Sequence, residues 1–230
     1  MTEVSLTAQF RCSGCGGYLG WVDALLPDSP AAPGPWYGAG EYDLRIFDRP
    51  EAMEGDLIRL ARSESSARIV AGFCWPWSDP LKDDSLLPDV KIRAWKRPWN
   101  EKPPEQRKPP KPAPRADRHP YTRWATEPER IREIGCIYSA QGLEFDYCGV
   151  ILGPDLVWRS GKGWFADKTR SAGPALLRRK LSDDRLGALL QHTYRVLLTR
   201  GIKGTFVYST DEETREFVAG LLGARPTAPI

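Results

Sequence analysis

Residues Ile134–Leu156 read IGCIYSAQGLEFDYCGVILGPDL: a short apolar run, a polar turn, then a second apolar run. Ile134–Tyr138 and Gly149–Leu152 are each bounded by glycine or a turn signal, the pattern of buried strands. Between them, Ser139-Ala140-Gln141-Gly142-Leu143-Glu144 puts a glycine and hydrogen-bonding side chains in the turn after a buried strand. In open α/β sheets ligands bind outside the carboxyl ends of the strands. A glycine there lets the backbone approach a phosphate, and a carboxylate such as Glu144 can accept hydrogen bonds from ribose hydroxyls. The same residues suit a tight connection in which Glu144 only caps a short helix.

Working outward, strand and helix patterns alternate. Ala67–Phe73 and Thr205–Tyr208 read as further buried strands. Tyr18, Leu19, Val22, Leu25 and Leu26 recur at helix spacing, as do Met53, Leu57, Leu60 and Ala61 after Pro50, a residue suited to a first helical turn. A long helix is predicted from a cap at Ser182 to about Thr199, with Leu186, Leu189, Leu190, Thr193 and Leu197 on one face, and a last one over Glu212–Leu222. Short buried strands alternating with helices predict an α/β fold: a mostly parallel sheet with helices on both faces. Pro30–Pro35 and Arg159–Pro174 break the pattern. Residues Glu101–Pro120 hold seven prolines and almost nothing apolar, and read as an extended insertion or a flexible cationic arm.

The chain has 230 residues, enough to bury a core without staples, and its 41% hydrophobic content excludes a wholly disordered chain. Net charge is +3, and Glu101–Pro120, with six Lys/Arg against three Asp/Glu, carries all of it. A local basic excess offers a polyanion contact without a steering field. No apolar run reaches membrane-spanning length, no signal-peptide layout opens the chain, and five cysteines make no disulfide framework. A cytoplasmic protein with no membrane partner is the expectation.

Cys12 and Cys15 invite a zinc reading, but a structural site needs four ligands. Cys74, Cys136 and Cys148 stand singly in or beside apolar runs, and His119 and His192 each stand singly in the sequence, so the pattern argues against zinc. A redox pair lacks its strand-to-helix context. Lys91–Asn100, KIRAWKRPWN, interleaves basic residues with tryptophans and makes Trp95, Lys96, Arg97 and Trp99 candidates for stacking bases and tracking phosphates. The plainer alternative is that these tryptophans are buried bulk covered by basic stems. Tyr194–Gly201, YRVLLTRG, ends the long helix. Arg200 there is either a cation in the last turn, with Gly201 as a left-handed stop, or an arginine held at the sheet edge to neutralise a γ-phosphate.

Taken in order, GCIYSAQGLEFDYCGVI and YRVLLTRGIKGTFVY resemble the second RecA-like domain of superfamily 1 helicases. More closely, they resemble the Schlafen group 3-like DNA/RNA helicase domain family. LTAQFRC at Leu6–Cys12, ARIVAGFCWPW at Ala67–Trp77 and Trp99-Asn100 are similar to that family too. The resemblance spans about Leu6 to Leu222, apart from the proline-rich insertion. It implies a RecA-like fold of P-loop NTPase type over residues 1–230, the second motor domain only. It implies that Arg11 and Arg200 reach the ATP γ-phosphate, that Glu144 contacts the ribose, and that Gln141 and Gly142 form the pair beside it. Tyr138 stands where many relatives carry a histidine that touches the single strand, and an aromatic there can stack on a base.

A helicase motor also needs a Walker A loop, G-x-x-x-x-G-K-[ST], and an Asp-Glu pair for Mg²⁺. No Walker A loop occurs in these 230 residues, Gly161-Lys162 being followed by Gly163, and no apolar run leads directly into an Asp-Glu pair. The expectation is a half-motor that uses ATP with Mg²⁺ only beside a chain or domain carrying the Walker A and B half, acts on single-stranded DNA or RNA, and has little activity alone. The alternatives are a non-catalytic module that binds nucleic acid or protein, and a truncated relic.

Overall fold

The structure, a computed structural model, describes residues 13–27, 34–38, 40–63, 65–103, 106–107, 120–173, 176 and 181–223. Arg11, Cys12, His119 and most of the proline-rich insertion lie outside the described residues. In chain order the elements are α1 (Ser13–Leu25), β1 (Asp43–Ile46), α2 (Pro50–Arg62), β2 (Ala67–Ala71), β3 (Val90–Ile92), β4 (Trp95–Arg97), α3 (Pro120–Thr126), β5 (Ile134–Gly135), α4 (Ile137–Ala140), β6 (Phe145–Leu152), β7 (Leu156–Arg159), β8 (Gly163–Ala166), α5 (Asp183–Leu198), β9 (Gly201–Ser209) and α6 (Glu212–Leu221). Among the described residues no helix is long and apolar enough to cross a membrane.

Five strands form one sheet in the order β1-β9-β6-β2-β5, and every neighbouring pair is parallel. The hairpins β3–β4 and β7–β8 stand outside it. A parallel sheet must be covered on both faces, and the side chains divide accordingly. Val150 and Leu152 of β6 and Val207 of β9 pack with Tyr18 and Val22 of α1 and with Leu190, Tyr194 and Leu197 of α5. Ile151, Phe206, Tyr208 and Ile69 point the other way, onto Met53 and Leu57 of α2 and the β3–β4 hairpin. The alternation slips once. A bulge between Phe145 and Tyr147 lets Phe145 and Cys148 share the first face despite their odd spacing.

The α/β sheet expected from the sequence is present. Pro50 begins α2, whose Met53 and Leu57 are fully buried. Three local readings change. Only Ile134–Gly135 of the expected first strand pairs, because the Ser139 hydroxyl accepts the Cys136 amide at 2.9 Å and starts a one-turn helix at Ile137. On α5, Leu189 and Thr193 are not core: Leu186, Leu190, Tyr194, Leu197 and Leu198 are buried, so the face is rotated towards Tyr194. Gly201 is not a left-handed stop, since α5 closes at Thr199 and Gly201 opens β9. A Cβ on Gly201 would lie 2.1 Å from the Gly204 carbonyl, so it is close approach that demands glycine here.

The core on the α2 face makes a direct forecast. Leu57→Ala should destabilise the fold by about 2–5 kcal/mol, read as a lower urea midpoint at unchanged slope. A loss under about 1 kcal/mol would mean that α2 does not pack on β2 and β6 as described.

Candidate functional site

In a parallel sheet all strand starts lie along one edge and all strand ends along the other. At the starts, α5 delivers Arg200 directly before β9, and Gln141–Glu144 directly precede β6. The Phe145 amide donates to the Arg200 carbonyl at 2.9 Å, which ties the two strand starts together. The half-buried guanidinium of Arg200 donates Nε–H to the Val196 carbonyl at 2.8 Å, Nη1–H to the Leu143 carbonyl at 3.2 Å and Nη2–H to the Thr199 hydroxyl at 3.1 Å. Among the described residues no carboxylate pairs with it, and both terminal nitrogens keep a second N–H. Its field reaches Cys148, whose thiol burial pushes up to about 12 while the Arg200 cation pulls the other way.

Gln141 and Glu144 are exposed, and Gly142 has φ +83° with open space where a Cβ would stand. Glu144 has no hydrogen-bond partner among the described residues. Beside it, Asp146 accepts from Lys203 Nζ at 2.9 Å and the Ser66 amide at 2.8 Å, and the Lys203 bond holds its carboxyl below the ordinary range. The edge therefore presents a positioned guanidinium with spare donors, a carboxylate open to hydroxyl donors and a glycine turn without side-chain bulk. Such a surface can meet an anion and a polyol together.

Tyr138 faces the opposite edge. It lies within α4, and the chain runs from there through Gln141 back to the strand starts, where Leu143 meets Arg200. Tyr138 is 48% exposed and meets the Phe73 ring edge-on at 5.8 Å. Both line a cavity of about 260 Å³ with Asp155, Ser171 and Thr193. Asp155 is buried at the end of β6 and accepts the Tyr194 hydroxyl at 2.6 Å, while that hydroxyl accepts the Gly153 amide at 2.8 Å. Burial raises the Asp155 carboxyl and pushes Tyr194 and Cys74 well above their ordinary values. Sequence reasoning missed Asp155; the available signal was Gly-Pro-Asp directly after the apolar run of β6.

Within Lys91–Asn100 the plainer alternative describes the tryptophans. Trp95 and Trp99 are 3% and 2% exposed, with indole N–H groups bonded to Glu54 Oε2 at 3.2 Å and the Pro76 carbonyl at 2.8 Å. Arg97 is clasped by both oxygens of Glu54 and lies 5.3 Å over the Trp95 ring. Neither ring leaves a face for a base, and Arg97 is committed internally, which corrects the expectation of strand contact at these three residues. Lys96 is exposed. Among the described residues no group of three His, Cys, Asp or Glu could hold a metal ion, and Cys12 lies outside them.

An all-parallel five-stranded sheet covered by helices is consistent with a RecA-like domain. The model of the Schlafen group 3 DNA/RNA helicase domain matches residues 1–211, and the chain belongs to that family. It is 25% identical over 240 residues to an uncharacterized protein of Saccharomyces cerevisiae, a match that covers 92% of this chain and 46% of the yeast protein. The chain thus spans about half the length of this curated relative. No solved structure matches it.

Two features of the edges can be tested in the isolated chain. Gly142→Ala places a side chain at φ +83° and should lower stability by about 1–2 kcal/mol, with Gly142→Asn intermediate; equal stability of all three would exclude the left-handed turn. Asp155 has a folded-state pKa above its ordinary 3.8, so above that value the folded chain keeps a proton that the unfolded chain has lost. Its contribution to stability is therefore fully present below pH 3.8 and falls as pH rises towards the raised value. Urea titrations of wild type and Asp155→Asn should show the wild type losing ground over that interval. A pH-independent difference would mean that burial does not shift this carboxyl.

Proposed function

We propose that this chain is the second RecA-like half of a superfamily 1 helicase-type ATPase that works on single-stranded DNA or RNA. In this reading Arg200, with Arg11, neutralises the γ-phosphate, Glu144 accepts from the ribose, and Gln141 and Gly142 flank it. The observation that carries the reading is the Arg200 guanidinium, fixed at the strand starts by carbonyls and a hydroxyl, with no carboxylate partner among the described residues. A buried or half-buried cation without a counter-charge is costly unless it serves an anion. The open Gly142 turn and the exposed Glu144 leave room for a nucleotide beside it.

ATP with Mg²⁺ supplies the transferable phosphoryl group and its bridging cation when bound. The Walker A cradle and the metal-holding acids come from a complementary first domain, in the same polypeptide or another. What this chain would add in this reading is preorganised positive charge: a guanidinium held by three hydrogen bonds needs little reorganisation as charge builds on the γ-phosphate.

A second reading is a strand-binding module without catalysis. One assay separates the two. ATP hydrolysis is measured for the chain alone and with a first domain carrying Walker A and B, each with and without single-stranded DNA or RNA. Turnover should need the first domain, rise with the strand, and fall about 10³-fold or more in Arg200→Ala. Strand binding without turnover under every condition would favour the binding module, and turnover indifferent to Arg200 would refute its assignment.

A further inference from the structure

The hairpins β3–β4 and β7–β8 flank the ends of β6 and β9, and a cavity of about 550 Å³ lies between them. Its lining includes four cations, Lys91, Arg93, Arg159 and Arg170, against two carboxylates, Asp167 and Asp211, and the rings of Trp75, Phe165 and Tyr208. Two of the cations are already balanced in part: Arg159 holds Asp211 at 2.9 Å, and Arg170 stands 3.7 Å from Asp167. Lys91 and Arg93 have no carboxylate partner among the described residues. Phe165 is 56% exposed, a large open ring beside that charge.

Hairpin β3–β4 also carries two features that work against its own stability. Lys91 sits directly across from Lys96, both exposed, and like charges in that position repel. Arg93 has φ 53°, a left-handed conformation that glycine or asparagine adopts far more readily. Neither feature serves packing, because Val90, Ile92 and Trp95 form the buried face of the hairpin. The left-handed φ is what a two-residue hairpin turn asks of its first residue, whereas the facing lysines and Arg93, which has no carboxylate partner among the described residues, leave positive charge that a ligand of opposite sign would balance.

We infer that this groove takes the sugar-phosphate backbone of a single-stranded nucleic acid, with Lys91, Arg93 and Arg170 on phosphates and Trp75 and Phe165 against bases. Cations beside the open Phe165 ring and the half-buried Trp75 ring suit an unstacked strand. An acidic peptide would match the charge but makes less use of the two ring faces. The inference rests on the helicase-type reading and deepens it. Contacts come from the outward residues of Lys91–Asn100 rather than from the buried Trp95 and Trp99. The Trp75 indole, donating to the Lys91 carbonyl at 3.0 Å, holds the hairpin beside the strand ends.

The test is fluorescence anisotropy of labelled oligo-dT and oligo-U binding to the full chain across about 50–200 mM salt. The two oligomers show whether deoxyribose or ribose is preferred. Lys91→Ala combined with Arg170→Ala should weaken binding roughly tenfold and reduce the salt slope by about 2. Arg93→Gly relieves the backbone, so it should keep or raise thermal stability while still reducing the slope by about 1. Arg59→Ala, a 71% exposed arginine on α2, should bind as wild type. A wild-type chain that binds neither oligomer, or groove variants that bind like wild type at every salt concentration, would overturn the inference. Groove variants that bind normally while hydrolysis still depends on Arg200 would remove the groove alone. Salt-dependent loss in the variants without any Arg200-dependent hydrolysis would support the groove and remove the nucleotide-edge reading alone.

Discussion

The Phe145 amide reaches the Arg200 carbonyl at 2.9 Å, and the Arg200 guanidinium reaches back to the Leu143 carbonyl at 3.2 Å. With these two bonds β6 and β9 begin side by side, in the middle of the sheet. Register matters because a one-residue slip would turn every side chain to the opposite face. Val150 and Val207 would leave the α1–α5 layer, and Ile151 and Phe206 would leave the α2 layer. The bulge after Phe145 absorbs the one mismatch. The contact that sets the fold is thus also the contact that positions the arginine, and its loss would disturb packing and site together.

A parallel sheet gives the domain two unlike edges. The strand starts carry Arg200, Gly142 and Glu144, an arrangement suited to an anionic, hydroxyl-bearing ligand. The strand ends carry Tyr138 over Phe73, the buried Asp155–Tyr194 pair and the cationic groove between the two hairpins. The chain belongs to the Schlafen group 3 DNA/RNA helicase domain family, and the division we propose sets nucleotide at one edge and nucleic acid at the other. Helix α4, which contains Tyr138, begins the return of the chain from the strand ends to Leu143 and Glu144 at the start of β6.

Much of the fold is legible in the sequence, where burial on both faces leaves short apolar runs. Ala67–Ala71, Phe145–Leu152 and Gly201–Ser209 are such runs, and Pro50 marks its helix start. What was not legible depended on long-range partners. Strand β1 has no fully buried residue and takes its conformation from pairing with β9. The β7–β8 hairpin looked irregular because its order comes from Trp158 stacked on Phe217 of α6 at 3.8 Å. Trp95 and Trp99 were ambiguous for the same reason, since their partners Glu54 and Pro76 are distant in sequence. At the candidate site, the motif order points to Arg200 and Glu144, but periodicity could not reveal that Tyr138 packs on Phe73 while Leu143, five residues on, meets Arg200 at the strand starts.

The division of labour between the edges is best tested by mapping where a bound strand touches the chain. Oligo-U carrying 5-iodouridine, irradiated in complex with the full chain, forms covalent links to the side chains its bases stack on. Mass spectrometry should then find crosslinks at the strand ends, on peptides holding Trp75, Phe165 or Tyr138. Crosslinks concentrated on Gln141–Glu144 or Arg200–Lys203 would place the strand at the strand starts and contradict the two-edge arrangement.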